Sequence, residues 1–167
     1  MNKRATPRLR PDGRFLLSHP AHLLAFGLGT GLSPKAPGTV GTLLGYVLFA
    51  LLLPFSATIQ WLVLLGGFLL GIWACDRTGR ALGVADYGGI VWDEVVAFAA
   101  VLYFVPLHWF WWLLAFGLFR LFDIIKPFPI RQVDAAVKGG FGVMLDDVLA
   151  AVYSVAVLLV LQEVWRG

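Results

Sequence analysis

Five carboxylates stand out because each interrupts a strongly apolar part of the chain: Asp93, Glu94, Asp123, Asp146 and Asp147. A carboxylate stranded in hydrocarbon is costly, so such a group is normally paired, placed at an interface or functional. Carboxylates gathered at the edge of a low-dielectric region repel one another and take up protons unless a cation neutralises them. Mg²⁺ binds carboxylate and water oxygens and commonly bridges to substrate phosphate. If the fold brings these residues together, they predict a site for a hard divalent cation.

Simpler roles remain open for some of these acids. Asp123 and Lys126 are three residues apart in what we expect to be the last turn of a helix. A helix-end ion pair of Asp123 with Lys126 or Arg120 would therefore explain that acid without any ligand. The positive end of a helix dipole would explain one carboxylate at 93–94, but it does not easily explain two neighbours.

A glycine-rich segment, residues 27–42, supplies a second kind of chemistry. It contains Ser33, Lys35 and Thr39 and leads into an apolar helix. Backbone amides at such a junction can hold a phosphate group. The spacing matches neither the P-loop nor the dinucleotide fingerprint, so a purely structural loop at the membrane face is an equal alternative. Arg120 and Lys126 are further candidates for holding an anionic substrate.

Composition indicates that these residues belong to an integral membrane protein. Of 167 residues, 59% are hydrophobic and 14% are charged, whereas soluble domains contain about a quarter charged residues. We expect an all-α fold, a compact multi-helix membrane bundle with about five apolar helices and short interfacial helices near 18–26 and 131–138. The apolar helices are predicted at 40–53, 58–74, 90–105, from 109 into the stretch 120–131, and 148–164.

Charge distribution predicts the orientation of this bundle. Residues 1–17 are expected to form a basic cytoplasmic arm, and residues 18–167 a single helical membrane domain. When the helices are threaded alternately, Arg166 is the one basic residue among the 13 Lys and Arg that falls outside, which agrees with the positive-inside rule. The same threading brings all five acids and the glycine-rich segment to the cytoplasmic face. The basic residues form no stripe along a surface helix, so no nucleic-acid partner is expected.

The acids, the cations and the glycine-rich segment together suggest metal-assisted phosphoryl transfer to water on a substrate reached from the membrane. A cysteine phosphatase is excluded because Arg80 is one position too close to Cys75, the only cysteine. His19, His22 and His108 do not provide the motifs of histidine-dependent lipid phosphatases. An aspartyl-phosphate mechanism would need Asp-x-Asp after a strand, which the chain lacks.

Four ordered blocks of sequence resemble the bacterial phosphatidylglycerophosphatase A family. They are residues 22–25 with 31–39, residues 90–94, residues 119–130 and residues 139–147. The resemblance runs from about residue 18 to residue 153, with no departure in the acidic blocks. It implies a phosphatidylglycerophosphatase-like enzyme of the bacterial cytoplasmic (inner) membrane, multi-pass, with its active site facing the cytoplasm. Such an enzyme uses Mg²⁺ to remove the terminal phosphate of phosphatidylglycerophosphate, a membrane lipid, and releases phosphatidylglycerol.

Roles can be proposed on this resemblance. The catalytic set is Asp93, Glu94, Asp123, Asp146 and Asp147. Glu94, Asp123 and Asp147 are the leading Mg²⁺ ligands, and Asp146 is the fourth candidate. Asp93 and Asp146 would either complete the metal site or orient water as the general base. The residues expected to bind the substrate phosphate are Ser33, Lys35, Thr39, Arg120 and Lys126.

Two non-enzymatic interpretations stay open at this point. The acids could coordinate or conduct cations in a small membrane transporter or channel subunit, although transporters usually carry such groups near the bilayer midplane and are often built from inverted repeats. The acid pairs could also be helix caps in a membrane assembly protein. The sequence indicates no oligomeric state.

Overall fold

Every secondary-structure element in residues 10–84 and 86–166, which the computed structural model describes, is helical. The all-α prediction is therefore confirmed for these residues. The α-helices are α1 (Gly13–Leu17), α2 (Pro20–Ala25), α3 (Pro37–Leu52), α4 (Ala57–Leu82), α5 (Trp92–Val101), α6 (Trp109–Ile125), α7 (Ile130–Ala136) and α8 (Gly139–Arg166). Two 3₁₀ segments, Gly27–Leu32 and Leu102–Phe104, follow α2 and α5.

Two of these helices, α4 and α8, are long and apolar enough to cross a membrane, by length and composition. The expected set of about five apolar membrane helices is thus not confirmed in the described part of the chain. The reason is length, because a helix rises about 1.5 Å per residue and the hydrocarbon core is about 30 Å thick. The other three apolar helices, α3, α5 and α6, have 16, 10 and 17 residues.

The predicted arm lies partly outside the described residues, which begin at Arg10. Within the rest of it, residues 13–17 form α1. The Asp12 side chain caps this helix by accepting a hydrogen bond from the backbone N–H of Phe15 at 2.8 Å. Leu16 on α1 is buried.

Both long helices extend beyond the stretches that hydropathy predicts. α4 continues past residue 74 to Leu82, where Gly83 adopts a left-handed conformation and ends it. α8 begins at Gly139 rather than near residue 148. Asp146 and Asp147 therefore lie about two turns inside α8. Helix capping cannot account for acids in this position, because unpaired backbone N–H groups occur only in the first turn.

The most buried helix is α5, which lies against α3, α4 and α8. Two glycines of α3 allow this close packing. A Cβ at Gly41 would lie 2.7 Å from the Cβ of Val91, and one at Gly45 would lie 2.9 Å from the ring of Phe98. These glycine contacts hold α3 against α5, whose first turn carries Asp93 and Glu94.

The segment before α5 is fastened to α2. The Val91 N–H donates a hydrogen bond to the carbonyl of Ala25 at 2.8 Å. α2 is itself attached to α4, because His22 Nδ1 and Thr78 Oγ1 are 2.9 Å apart in the buried interior. The backbone that leads into Asp93 is thus fixed by two neighbouring helices.

The crossing of α4 and α8 gives a prediction for stability. A Cβ at Gly140 would collide with the Ile72 carbonyl oxygen and lie 2.7 Å from the Asp76 backbone nitrogen. Backbone atoms cannot rotate away, so we expect Gly140→Ala to lower the free energy of unfolding by about 1–3 kcal/mol. Denaturant unfolding in detergent would measure this change.

Gly66→Ala is the matched control. Gly66 lies within α4, the other helix of the crossing, and no described atom stands within 4 Å of a Cβ added there. That variant should be neutral or stabilised by about 0.5–1 kcal/mol, since alanine favours the helix. Equal unfolding free energies for the two variants would contradict the close crossing at Gly140.

Candidate active site

A cavity of about 810 Å³ lies where α3 and α5 begin and α6 ends, beside the first turns of α8. Half of the residues that line it are charged, and these come from four helices, α5 to α8, with the residue that ends α6, and from the segment after α4. The charged residues that line it are Asp86, Asp93, Glu94, Arg120, Asp123, Lys126, Asp134, Asp146 and Asp147. The predicted convergence of acids that are distant in sequence is therefore seen in the structure.

Three of the acids form a tight buried cluster. One carboxylate oxygen from each of Asp93, Glu94 and Asp147 lies within 4.8 Å of the others. All three residues are buried, with at most 8% of their surface exposed. Oxygens Oδ1 of Asp93, Oε2 of Glu94 and Oδ2 of Asp147 have no hydrogen-bond partner among the described residues. Buried polar atoms normally have a partner, so these oxygens point to a missing ligand.

The electrostatics of the cluster favour a cation. Burial, together with Glu94 and Asp147, raises the pKa of Asp93 well above its ordinary value. Burial raises the pKa of Glu94 to about 7, although Asp93 and Arg120 act in the opposite direction. A divalent cation would stabilise the ionised forms of these groups. Since the donor atoms are carboxylate oxygens, the cluster fits a hard metal ion.

Arg120 joins the cluster to the neighbouring wall of the cavity. Its Nη1 lies 2.7 Å from Oδ2 of Asp123 and 3.5 Å from Oε1 of Glu94, and it donates to the Thr42 hydroxyl at 3.3 Å. Nε of Arg120 is buried without a partner among the described residues. The guanidinium is therefore held in one place while part of its donor capacity is unused.

Lys126 contacts two other acids of the cavity wall. It ends α6 in a left-handed conformation, with φ of 48°. Its ammonium forms an ion pair with Asp146 and lies 3.4 Å from the carboxylate of Asp134. Burial alone would lower the pKa of Lys126, but the Asp146 carboxylate raises it above its ordinary value. Lys126 is therefore a fixed cation that holds Asp146 at the cavity wall.

The start of α3 also faces the cavity, through Ala36, Pro37 and Gly38. Ala36 precedes the helix in a left-handed conformation, and no side chain of a described residue caps this end. Pro37 has no backbone N–H, so the N–H of Gly38 is the first donor of α3, at the end of the helix that attracts anions.

The predicted site residues are distributed unevenly around this cavity. The five acids, Arg120 and Lys126 all line it. Ser33, Lys35 and Thr39 are not among the residues that line it. The Ser33 hydroxyl instead donates to the Lys35 carbonyl at 2.8 Å, and Lys35 is exposed. From the glycine-rich segment, it is the three residues 36–38 that reach the cavity.

The predicted metal ligands are divided between the cluster and the ion pairs. Glu94 and Asp147 belong to the cluster, together with Asp93, which the sequence offered as either a ligand or a base. Asp123 and Asp146 are instead paired with Arg120 and Lys126.

Two acids that line the cavity had no role in the sequence prediction, Asp86 and Asp134. Both lie in polar stretches, where an acid is unremarkable by composition. The sequence gives one indication that Asp134 belongs to the site: it lies on a short amphipathic helix directly after the prolines at 127 and 129.

Known proteins similar to this chain are lipid phosphatases by name. A model of the phosphatidylglycerophosphatase A family matches residues 23–162. A Haemophilus influenzae protein named phosphatidylglycerophosphatase A is 48% identical over 154 residues, which cover 91% of this chain and 94% of the relative. The Escherichia coli protein of the same name is 39% identical over 153 residues, covering 91% and 89%. No solved structure matches the chain.

A third relative differs in the substrate that its name gives. A Bacteroides thetaiotaomicron protein, provisionally named a phosphatidylinositol-3-phosphatase, is 44% identical over 147 residues. These residues cover 83% of this chain and 91% of the relative. Both substrate names describe a lipid whose headgroup carries a phosphate monoester.

Proposed function

The chain belongs to the phosphatidylglycerophosphatase A family, a family of phosphatases, and we propose that it hydrolyses phosphatidylglycerophosphate to phosphatidylglycerol and inorganic phosphate. One observation carries this proposal beyond the family name. The buried cluster of Asp93, Glu94 and Asp147 shares a cavity with Arg120 and the open end of α3. A cation site next to hydrogen-bond donors that can bind an anion is the arrangement that phosphoryl transfer requires.

We propose that Asp93, Glu94 and Asp147 hold Mg²⁺. The support is their partnerless carboxylate oxygens, which suit a hard cation. When bound, Mg²⁺ supplies positive charge to the phosphoryl oxygens and lowers the pKa of water.

The phosphate is held by the chain's own donors. Gly38, which carries the first backbone N–H of α3, and Arg120 both line the cavity. Backbone amides at a helix start and a guanidinium are favourable partners for phosphoryl oxygens. They also stabilise the charge that builds on these oxygens as the bond to the leaving alcohol breaks. Arg120 is kept in place for this role by Asp123 and Thr42.

The attacking water needs an acceptor for its proton. Asp123 and Asp146 line the cavity, and each is fixed by a cation rather than by the cluster. Either carboxylate can orient the water and accept its proton. The oxygen of that water joins phosphorus, the bond from phosphorus to the glycerol oxygen breaks, and the leaving alcohol takes up a proton.

We further propose that α4 and α8 cross the cytoplasmic membrane with the cavity on the cytoplasmic side. The end of α4 and the start of α8 lie beside the cavity and carry Arg77, Arg80 and Lys138, whereas Arg166 is at the opposite end of α8. This distribution agrees with the positive-inside rule. A cysteine at Lys138 should react with an impermeant thiol reagent in inverted vesicles and not in intact cells. Labelling in both would refute this orientation.

Phosphate release from purified protein in detergent tests the activity. We expect release from phosphatidylglycerophosphate with Mg²⁺, a fall of about a hundredfold or more with EDTA, and recovery when Mg²⁺ is restored. Phosphatidylinositol 3-phosphate, the lipid in the third relative's name, should be a poorer substrate. A preference for it would reassign the substrate.

The transporter or channel interpretation is an outcome of the same experiment. Release that EDTA does not affect would overturn the proposed metal role. No release from either lipid, together with Mg²⁺ movement into protein-containing vesicles, would favour a cation-binding transporter instead.

A further inference from the structure

An exposed row of apolar side chains runs along the end of α6. Leu121, Ile124 and Ile125 follow a spacing of i, i+3 and i+4, which places them on one side of α6, and Phe128 lies in the turn after the end of this helix. We call these four residues the apolar stripe. Their exposed fractions are 46%, 69%, 61% and 76%, so they pack little against the described part of the chain.

The apolar stripe is continuous with the proposed active site through Ile124. This residue lines the cavity and is exposed at the same time. The residues one and four positions before it, Asp123 and Arg120, line the same cavity and form an ion pair at 2.7 Å. The end of α6 thus has a charged side in the cavity and an apolar side next to it.

The far end of the apolar stripe is held in place. Phe128 follows the end of α6, and its carbonyl accepts a hydrogen bond from the Tyr153 hydroxyl at 2.7 Å. The Tyr153 ring also contacts Phe122, with centroids 5.5 Å apart. This large exposed ring is therefore attached to a turn that is fixed to α8.

We propose that the apolar stripe binds an acyl chain of the lipid whose phosphate occupies the cavity. The inference rests on the proposed function, and it adds the surface that contacts the acyl chain of the lipid. In phosphatidylglycerophosphate, the terminal phosphate is joined to the acyl chains through a glycerol, a phosphodiester and a second glycerol, so one molecule has a charged end and a hydrocarbon end. The end of α6 presents matching surfaces in the same order, charged side chains within the cavity and then apolar side chains outside it.

A second apolar groove, of about 560 Å³ between α4, α5 and α8, is a poorer match. No residue that lines this groove also lines the cavity. The apolar stripe, in contrast, shares Ile124 with the cavity wall. A lipid with its phosphate in the cavity therefore meets the apolar stripe directly.

Kinetics with two substrates test the inference. For Leu121→Asn with Ile125→Asn, two residues of the apolar stripe that do not line the cavity, we expect KM for a dioleoyl phosphatidylglycerophosphate in mixed micelles to rise about tenfold. The turnover number for a water-soluble dibutyryl analogue should stay within twofold of the unmodified protein. Leu62→Asn is the matched control, because Leu62 is 61% exposed on α4 and lies outside the cavity wall. It should change neither value.

Equal loss with both substrates, or an unchanged KM for the long-chain lipid, would overturn the role of the apolar stripe. A second measurement does not depend on hydrolysis. A phosphonate analogue of phosphatidylglycerophosphate with a photoreactive group on one acyl chain should crosslink to residues 121–128. Crosslinks confined to the groove between α4, α5 and α8 would refute the inference. If the unmodified protein hydrolyses neither lipid, the proposed function fails, and the crosslinking result still decides where the acyl chain binds.

Discussion

Replacing Asp147 with asparagine is expected to lower the rate of phosphate release by about a thousandfold. The side chain is 2% exposed, its Oδ2 has no partner among the described residues, and it belongs to the cluster with Asp93 and Glu94. An amide has nearly the same shape but lacks the negative charge that attracts Mg²⁺. The Mg²⁺ concentration needed for half-maximal activity should therefore rise as well.

Two measurements separate this effect from misfolding. Mg²⁺ should raise the melting temperature of the unmodified protein, because a ligand that binds only the folded state stabilises it. The shift should be lost in Asp147→Asn and kept in Glu163→Gln, which removes one carboxylate charge from an exposed position on the same helix. An Asp147→Asn protein that retains both its turnover and the Mg²⁺ shift would remove Asp147 from the proposed site.

Gly38→Ala is expected to lower activity by about a hundredfold although it adds a single methyl group. A Cβ at this position would collide with Oε1 of Glu94 and lie 3.1 Å and 3.2 Å from the two terminal nitrogens of Arg120. Glu94 and Arg120 would have to move together, and displacement of catalytic groups by about 1 Å can reduce rates by this factor. The initial rate of phosphate release at saturating Mg²⁺ measures the effect.

Gly117→Ala is the matched control for Gly38→Ala. Gly117 lies within α6, and no described atom stands within 4 Å of a Cβ added there. That variant should keep full activity and gain slightly in stability. If Gly38→Ala were as active as Gly117→Ala, Glu94 and Arg120 would have room to adjust, and their close fit against α3 would have no part in catalysis.

Local signals in the sequence predicted some boundaries well. Lys126 was expected in the last turn of α6, which ends at Ile125 with Pro127 and Pro129 close behind, whereas α3 begins at Pro37, three residues before its predicted start at residue 40. The ends of the long helices were less predictable. Hydropathy falls near Asp76, so α4 was expected to stop there, but Arg77 and Arg80 are good helix formers and the left-handed Gly83 ends the helix. The same criterion placed the start of α8 too late.

The composition of the site was more predictable than its pairings. Acids that interrupt apolar helices could be expected to meet, because exposing each of them to lipid is costly. Which cation each acid would pair with depends on the rotation of each helix, which a single sequence does not specify. Spacing alone allowed Asp123 to pair with either Lys126 or Arg120, and the structure pairs it with Arg120, while Lys126 pairs with Asp146. Likewise, glycine content indicated a phosphate segment but not that residues 36–38 alone would reach the cavity.

The shortness of α5 has a consequence for biogenesis. Its ten residues extend for about 15 Å, half the hydrocarbon thickness, and they begin with Asp93 and Glu94. In the proposed membrane placement, such a segment is too short for the translocon to insert it independently. It is instead enclosed by α3, α4 and α8, and α8 emerges from the ribosome after α5. A nascent chain released before α8 would therefore lack both the enclosure of α5 and Asp147, so premature termination should yield inactive fragments.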